Sequence, residues 1–175
     1  MDALATVGEL NLHLQRDADP VRAEQALQLA SGAVRAFCGW GLSQATETLI
    51  APASGTILLT LPTLSLNNIT EIRYRGNVID FGPLALSWTR RGQLIRLAGW
   101  PYHGEVEVDC DHGYPELPDV IKLVVLEQAG RHLSNPEGLV AATVGRVSRT
   151  YSGTGSSASA RLTELDQRLL ERFQI

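Results

Sequence analysis

The sequence contains little cysteine and no long apolar run. Only two of its 175 residues are cysteines, Cys38 after Ala-Phe and Cys110 after Val-Asp. Buried free thiols are expected more than a disulfide in a protein that is made in the cytoplasm. No window approaches the roughly 18 apolar residues of a membrane span, and the N-terminus does not resemble a secretory signal. These absences predict a protein made in the cytoplasm, with no membrane contact.

Basic charge is scarce as well. Lysine and arginine number 15 against 19 acidic residues, which gives a net charge of −4. A general nucleic-acid binder needs a basic face that neutralises phosphates. The charge balance therefore argues against specific DNA binding, although DNA can pass nearby without being held.

Motifs for nucleotide binding and nucleophilic catalysis are missing too. There is no Gly-x-x-x-x-Gly-Lys loop, no Gly-x-Gly-x-x-Gly after a strand, and no Gly-x-Ser-x-Gly elbow. Cys38 has no histidine near it in sequence, so we interpret it as a core residue and not as a nucleophile. We predict that the protein is not an enzyme and uses no cofactor.

A strand with strict alternation is the strongest chemical feature that is present. Residues 105–111 place apolar side chains on one face and four carboxylates on the other, namely Glu105, Glu107, Asp109 and Asp111. With His103 and His112, such a row would suit a hydrolase or a divalent cation. Acid/base catalysis also requires an apolar pocket that raises the pKa of one carboxyl, and the sequence supplies none. The favoured interpretation is a solvated strand face, with no metal.

The three tryptophans allow two interpretations. Trp40, Trp88 and Trp100 fit anchors within a sheet or an interface. Alternatively, Trp88 and Trp100 form a sugar-binding platform together with Tyr102. His132 on a later helix is interpreted as a surface or partly buried residue and not as a ligand.

The elements follow from periodicity and capping. Thr6 and Glu9 form a capping box before a short helix, and Asp19-Pro20 opens a second helix with Val21, Leu27, Ala30, Val34 and Phe37 as its apolar stripe. Between 46 and 112 the pattern is that of strands, with hairpins at Gly76-Asn77 and between 86–88 and 94–97. Pro118 opens a long helix whose spaced residues are Val120, Leu123, Val124 and Glu127, and which ends at 135–138.

The C-terminal part differs from the rest. An extended segment is predicted at 144–151, followed by a Gly/Ser/Ala linker at 152–160. An amphipathic helix at 163–173 places Leu165, Leu169 and Phe173 one turn apart. A helix of about eleven residues is marginal alone, and the linker leaves it detached from the core. Its stripe is therefore expected to need a partner surface, in the same chain or in another, and the helix to gain order on assembly.

The predicted fold class is α+β: a small helical bundle core with an inserted antiparallel β region and a C-terminal arm plus helix. The predicted divisions are residues 1–45 for the N-terminal helices of the core, 46–112 for the β-rich insertion, 113–138 for the long core helix, and 139–175 for the arm, linker and docking helix.

Several blocks stand out in order along the chain: Ala-Ser-Gly-Ala-Val-Arg-Ala-Phe-Cys-Gly-Trp at 30–40, Leu-Pro-Thr-Leu-Ser-Leu-Asn-Asn-Ile-Thr-Glu-Ile at 61–72, Asp-His-Gly-Tyr-Pro-Glu-Leu-Pro at 111–118, Arg-His-Leu-Ser-Asn-Pro-Glu-Gly at 131–138, Val-Gly-Arg-Val-Ser-Arg-Thr-Tyr at 144–151 and, after a loose stretch, Leu-Thr-Glu-Leu at 162–165. Together these blocks resemble the head–tail connector (adaptor) proteins of long-tailed bacteriophages, the siphoviruses. Arg146 and Arg149 depart from the polar or acidic residues expected there, so the charge of the arm is not carried over.

The resemblance implies a structural virion protein at the head–tail junction. It would form a homo-oligomeric ring, a dodecamer, between the portal protein and the next head-closure or tail-completion protein, and extend the DNA channel without binding DNA specifically. The expected portal-binding residues are Leu165, Arg168, Leu169, Arg172 and Phe173. The expected subunit interface comprises Val144, Arg146, Val147, Arg149 and Tyr151. The row of Glu105, Glu107, Asp109 and Asp111 would line the lumen or face solvent, and both alternatives stay open.

Overall fold

The computed structural model describes residues 2–79, 86–134, 141–144, 147–150 and 162–175. The chain divides into two compact units, a helical unit of 1–38 with 117–174 and a β unit of 39–116 with Ile175. The α+β fold class predicted from the sequence is confirmed. The predicted β-rich insertion lies within the β unit.

The described part of the helical unit contains four α-helices: α1 Val7–Leu14, α2 Pro20–Cys38, α3 Asp119–Ser134 and α4 Glu164–Leu170, the last continued by a 3-10 turn at Glu171–Phe173. Thr6 and Glu9 form the predicted capping box on α1. The Asp19 carboxylate accepts a hydrogen bond from the backbone N–H of Arg22 at 3.0 Å, as expected for the residue that caps α2.

The predicted stripes of α2 and α3 are buried in part. Leu27, Ala30, Val34 and Val124 are buried, whereas Val21 is 64% exposed and Leu123 is 43% exposed, so these two do not belong to the core. The helices α2 and α3 pack on each other, and the buried residues of α2 are mostly small: Ala23, Ala26, Leu27, Ala30, Ser31, Val34 and Cys38. Small side chains let helices approach closely, and a count of large apolar residues overlooks them.

The strands are β1 Ala45–Pro52, β2 Leu58–Thr60, β3 Leu66–Tyr74, β4 Asn77–Val78, β5 Leu86–Trp88, β6 Gln93–Arg96, β7 Glu105–His112, β8 Ala141–Val144 and β9 Val147–Thr150. They form three antiparallel sheets, with orders β1-β7-β3-β4, β2-β6-β5 and β8-β9. The hairpins predicted at Gly76-Asn77 and around Gly92 are confirmed. The predicted helix end at 135–138 and the linker at 152–160 lie outside the described residues.

Strand β7 supplies the centre of the β unit's core. Val106, Val108 and Cys110 are fully buried, while the residues between them are partly or fully exposed, so the predicted alternation is confirmed. They pack in one cluster with residues from both larger sheets, including Leu59 and Leu94. This packing fixes which face of β7 carries the carboxylates.

Candidate functional site

The C-terminal helix α4 is anchored by its first turn. Thr163 caps the helix: its hydroxyl accepts the N–H of Asp166 at 3.2 Å, and its own N–H donates to the Asp166 carboxylate at 2.9 Å. The same carboxylate pairs with the guanidinium of Arg131 on α3, which also donates to Gln128 at 2.6 Å. Asp166 is buried, so one side chain both caps α4 and ties it to α3.

Apolar packing completes this attachment. Leu170 is fully buried and Phe173 is 7% exposed, and α4 packs against α2 and α3 of its own chain. The prediction that this helix is detached from the core is wrong. Of its predicted stripe Leu165, Leu169 and Phe173, only Phe173 is buried. The stripe that the chain covers is Asp166, Leu170 and Phe173, which occupy positions i, i+4 and i+7 of the same face.

The opposite face of α4 points outward. Leu165 is 64% exposed, Arg168 and Arg172 are exposed, and Leu169 is half-buried. These four of the five predicted portal-binding residues form one ridge, since positions i, i+3, i+4 and i+7 share a helix face. Phe173 is buried instead, and the guanidinium of Arg172 lies over its ring at 4.7 Å from the centroid.

The arm predicted as one extended segment is a β-hairpin. Strands β8 and β9 pair with Val144 opposite Val147 and Ala141 opposite Thr150. Arg149 lies on β9, and the predicted interface residues Arg146 and Tyr151 lie outside the described residues. The hairpin forms a sheet of its own, separate from the two sheets of the β unit.

The acidic face of β7 is organised around one arginine. Arg73, on the neighbouring strand β3, donates to Asp109 with both terminal nitrogens at 2.6 and 3.0 Å. The same guanidinium contacts Glu71 at 2.6 Å and Glu107 at 3.2 Å. Sequence reasoning missed Arg73, because only the antiparallel pairing of β3 with β7 brings it opposite Glu107.

The electrostatics of this cluster oppose acid/base catalysis. A hydrogen bond from the Thr48 hydroxyl, together with those from Arg73, holds the pKa of Asp109 below its usual value of 3.8. Bonds to Glu71, Asp109 and Glu107 raise the pKa of Arg73. A general acid needs a raised carboxyl pKa, so Asp109 does not suit that role.

Acid titration of Asp109 gives a direct test of this arrangement. The folded-state pKa lies below the unfolded value, so the contribution of Asp109 to stability is full above the unfolded value and is lost as the pH falls through the folded value. We expect an NMR titration midpoint below 3.8 for the Asp109 carboxyl. In Asp109→Asn the loss of stability below that pH should be smaller than in the wild type. An unshifted midpoint would contradict the Arg73 cluster.

The tryptophans do not form the sugar-binding platform. Trp100 is 3% exposed and belongs to the core of the β unit, whereas Trp88 is 40% and Tyr102 80% exposed. Stacking against a sugar needs accessible rings, so the platform hypothesis is wrong. Trp40 is buried and packs on Tyr114 with ring centroids 5.5 Å apart, as expected of an anchor.

The remaining candidates behave as structural residues. Cys38 and Cys110 are buried free thiols, and burial raises the pKa of each to about 11. His112 is buried, and its Nε2 lies 2.7 Å from the Glu47 carboxylate. His132 is half-buried. Among the described residues no group of three potential metal ligands occurs, and no helix there has the length and apolarity to cross a bilayer.

No family model matches the sequence, and no curated protein matches it. The fold is similar to a chain in a solved structure described as the neck of an empty GTA particle computed with C6 symmetry. The TM-score is 0.59 at 18% sequence identity, and the likeness covers 98% of this chain and 89% of that chain. At this identity the likeness shows a common fold.

Proposed function

We propose that this protein is a structural, non-enzymatic subunit of the neck of a phage or phage-like particle, located at the head–tail junction. The observation that carries the proposal is the fold likeness to a particle-neck chain, which extends over 98% of this chain and 89% of the other. Likeness over nearly the full length of both chains indicates the same architecture and not one common motif. The connector resemblance of the sequence points to the same place in the particle.

In this proposal the protein works as a ring between the portal protein and the next neck or tail protein, and the ring extends the DNA channel. The neck that supplies the structural likeness was computed with C6 symmetry, and a twelvefold ring satisfies that symmetry. Cyclic rings repeat one contact head-to-tail until they close. The arm at 141–150 is the segment proposed to contact the neighbouring subunit, and the net charge of −4 fits a channel that does not hold DNA.

The outward ridge of α4, formed by Leu165, Arg168, Leu169 and Arg172, is proposed to contact the portal. Its apolar residues supply an anchor, and its arginines supply a rim that selects an acidic surface. One such helix has a small contact area, but simultaneous contacts around a ring add to one avid attachment. The buried residues Asp166, Leu170 and Phe173 hold the ridge in position, so they support the contact without forming it.

Substitution on the ridge tests this function. We expect Leu165→Asp to leave the fold intact, because Leu165 is 64% exposed, and to lower the number of joined head–tail particles about tenfold or more. The control Gln167→Glu adds the same charge at another exposed position of α4 and should join particles normally. Electron microscopy counts of free heads and joined particles give the measurement. Normal joining by Leu165→Asp would contradict the portal contact.

A further inference from the structure

Strand β1 forms one edge of the four-stranded sheet of the β unit. It pairs with β7 on one side over its whole length, from Ala45 opposite His112 to Pro52 opposite Glu105. Within the described strands, nothing pairs with its other side. The edge is eight residues long and is mostly exposed.

The backbone groups on the open side can be assigned from the pairing. The N–H of Ala53 donates to the carbonyl of Gly104 at 2.8 Å, one step beyond the end of the β1–β7 register. Antiparallel pairs alternate between bonded and non-bonded residues. The N–H and C=O groups of Thr46, Thr48 and Ile50 therefore point away from β7, and no described hydrogen bond reaches them.

This edge has little of the usual protection against pairing, which is limited to the charge of Glu47 and to Pro52 at its end. Natural edge strands are kept from adding further strands by shortness, bulges, lysines or prolines. β1 runs in unbroken register with β7. The three residues whose backbone groups point away from β7, Thr46, Thr48 and Ile50, are all β-branched, which favours strand pairing. Only Pro52 at the end of the strand blocks a donor.

The hairpin β8–β9 is the complementary feature. An isolated two-stranded hairpin is marginally stable in water, and a third strand or a packed face is needed for stability. The two strands pack on each other, and no other described helix or strand has more than a marginal contact with either of them. The outer edges of the hairpin thus carry unpaired main-chain groups, and no other described strand of its own chain pairs with them.

We propose that the β8–β9 hairpin of one copy adds to the β1 edge of the next copy, so that a continuous sheet crosses each subunit boundary of the ring. The inference rests on the proposed function, because it names the contact by which the ring closes. Main-chain hydrogen bonds along the added strand give the affinity. Because the hairpin of one copy pairs with the edge of the next, the same contact repeats head-to-tail and is able to close.

Charge complementarity favours a second copy as the occupant. The strands β7 and β3 place five carboxylates and one guanidinium on the face that borders the open edge: Glu71, Glu105, Glu107, Asp109, Asp111 and Arg73. Residues 138–161 contain three arginines, Arg146, Arg149 and Arg161, and no acidic residue. The segment that carries the hairpin is therefore opposite in charge to the face that borders the open edge.

Proline substitution on the open edge tests the main-chain contact. Ile50→Pro removes a donor that β7 does not use, so the purified chain should fold with an unchanged far-UV spectrum. Assembled rings and joined particles should fall roughly tenfold or more, since the lost bond repeats at every boundary. The matched control Ile50→Thr keeps the N–H and removes apolar surface, and it should assemble normally. Normal assembly by folded Ile50→Pro would overturn the proposal.

Cysteine cross-linking identifies the occupant. Two singly substituted chains are mixed, one with Thr46→Cys or Ile50→Cys and the other with Ser148→Cys or Thr150→Cys, so that a disulfide joins different copies. The native thiols are buried with pKa values near 11 and should not compete. Disulfide-linked pairs of this chain within assembled necks are the expected result. Rings that form without any such link, or a link to a different neck protein, would overturn the proposal. Wild-type protein that never enters the neck would instead contradict the proposed function.

Discussion

Replacing Gly113 with alanine is expected to unfold the β unit or leave it marginally stable. Gly113 has a φ of +91°, and a Cβ placed there would lie 2.2 Å from the carbonyl oxygen of Ser43 and 2.5 Å from its carbonyl carbon. A left-handed conformation costs an L-residue about 1–2 kcal/mol, and overpacking against backbone adds about 1–3 kcal/mol. We therefore expect a loss of about 3 kcal/mol in the free energy of unfolding.

The backbone at Gly113 cannot shift easily, because both its N–H and its carbonyl are hydrogen-bonded. Its N–H donates to the Ser65 carbonyl at 2.7 Å, and its carbonyl accepts from the hydroxyl of Ser65 and the amide of Asn67. The matched control is Gly76→Ala, where φ is +76° but no atom lies within 4 Å of the new Cβ, so only about 1–2 kcal/mol should be lost. Urea denaturation of both variants measures the difference. Equal losses would contradict the close approach to Ser43.

The second large effect is expected at Asp166. Asp166→Ala removes the partner of Arg131 and one half of the capping box of α4 in a buried place. Breaking a buried ion pair costs about 3–5 kcal/mol, and the partial exposure of Arg131 lowers this to about 2–3 kcal/mol. The loss should appear first as local unfolding of α4, measured by faster amide hydrogen exchange of residues 164–173 than in the wild type.

The control for this variant is Glu164→Ala. Glu164 also lies in the first turn of α4, but its side chain is exposed and no described bond involves it, so its exchange should change little. If the amide hydrogens of α4 still exchange slowly in Asp166→Ala, the apolar packing of Leu170 and Phe173 alone holds the helix. Under the proposed function Asp166→Ala should also reduce head–tail joining, because the outward ridge of α4 would lose its support.

The features that the sequence predicts well are local. The capping box of Thr6 with Glu9 and the helix opening at Asp19-Pro20 each depend on a few adjacent residues, and both are present. The alternation of β7 is equally local, since a period of two residues reports which face of a strand is buried. These signals suffice for the α+β class and for the location of most strands.

The errors concern contacts between distant segments. Leu165, Leu169 and Phe173 looked like the apolar stripe of α4, but the ion pair of Asp166 with Arg131 turns a neighbouring face inward. A charged residue such as Asp166 within a buried stripe conceals that stripe from an analysis of hydrophobic periodicity. Arg73 was missed for a similar reason, because 36 residues of sequence separate it from Asp109 and only the β3–β7 pairing joins them.

The consequence for function is a division of roles along the C-terminal helix. The sequence alone suggested a loose helix that gains order on binding. The structure instead places a folded helix with one covered face and one outward ridge. A preformed ridge loses less conformational entropy on binding than a helix that must first fold, so weaker contacts per subunit suffice.

The most direct test is a reconstruction of the neck of assembled particles that carry this protein, without imposed symmetry. The account predicts a closed ring of this chain at the head–tail junction, with Leu165, Arg168 and Arg172 against the portal and Phe173 inside its own subunit. Particles that join heads to tails with no copy of this chain in the neck would contradict it.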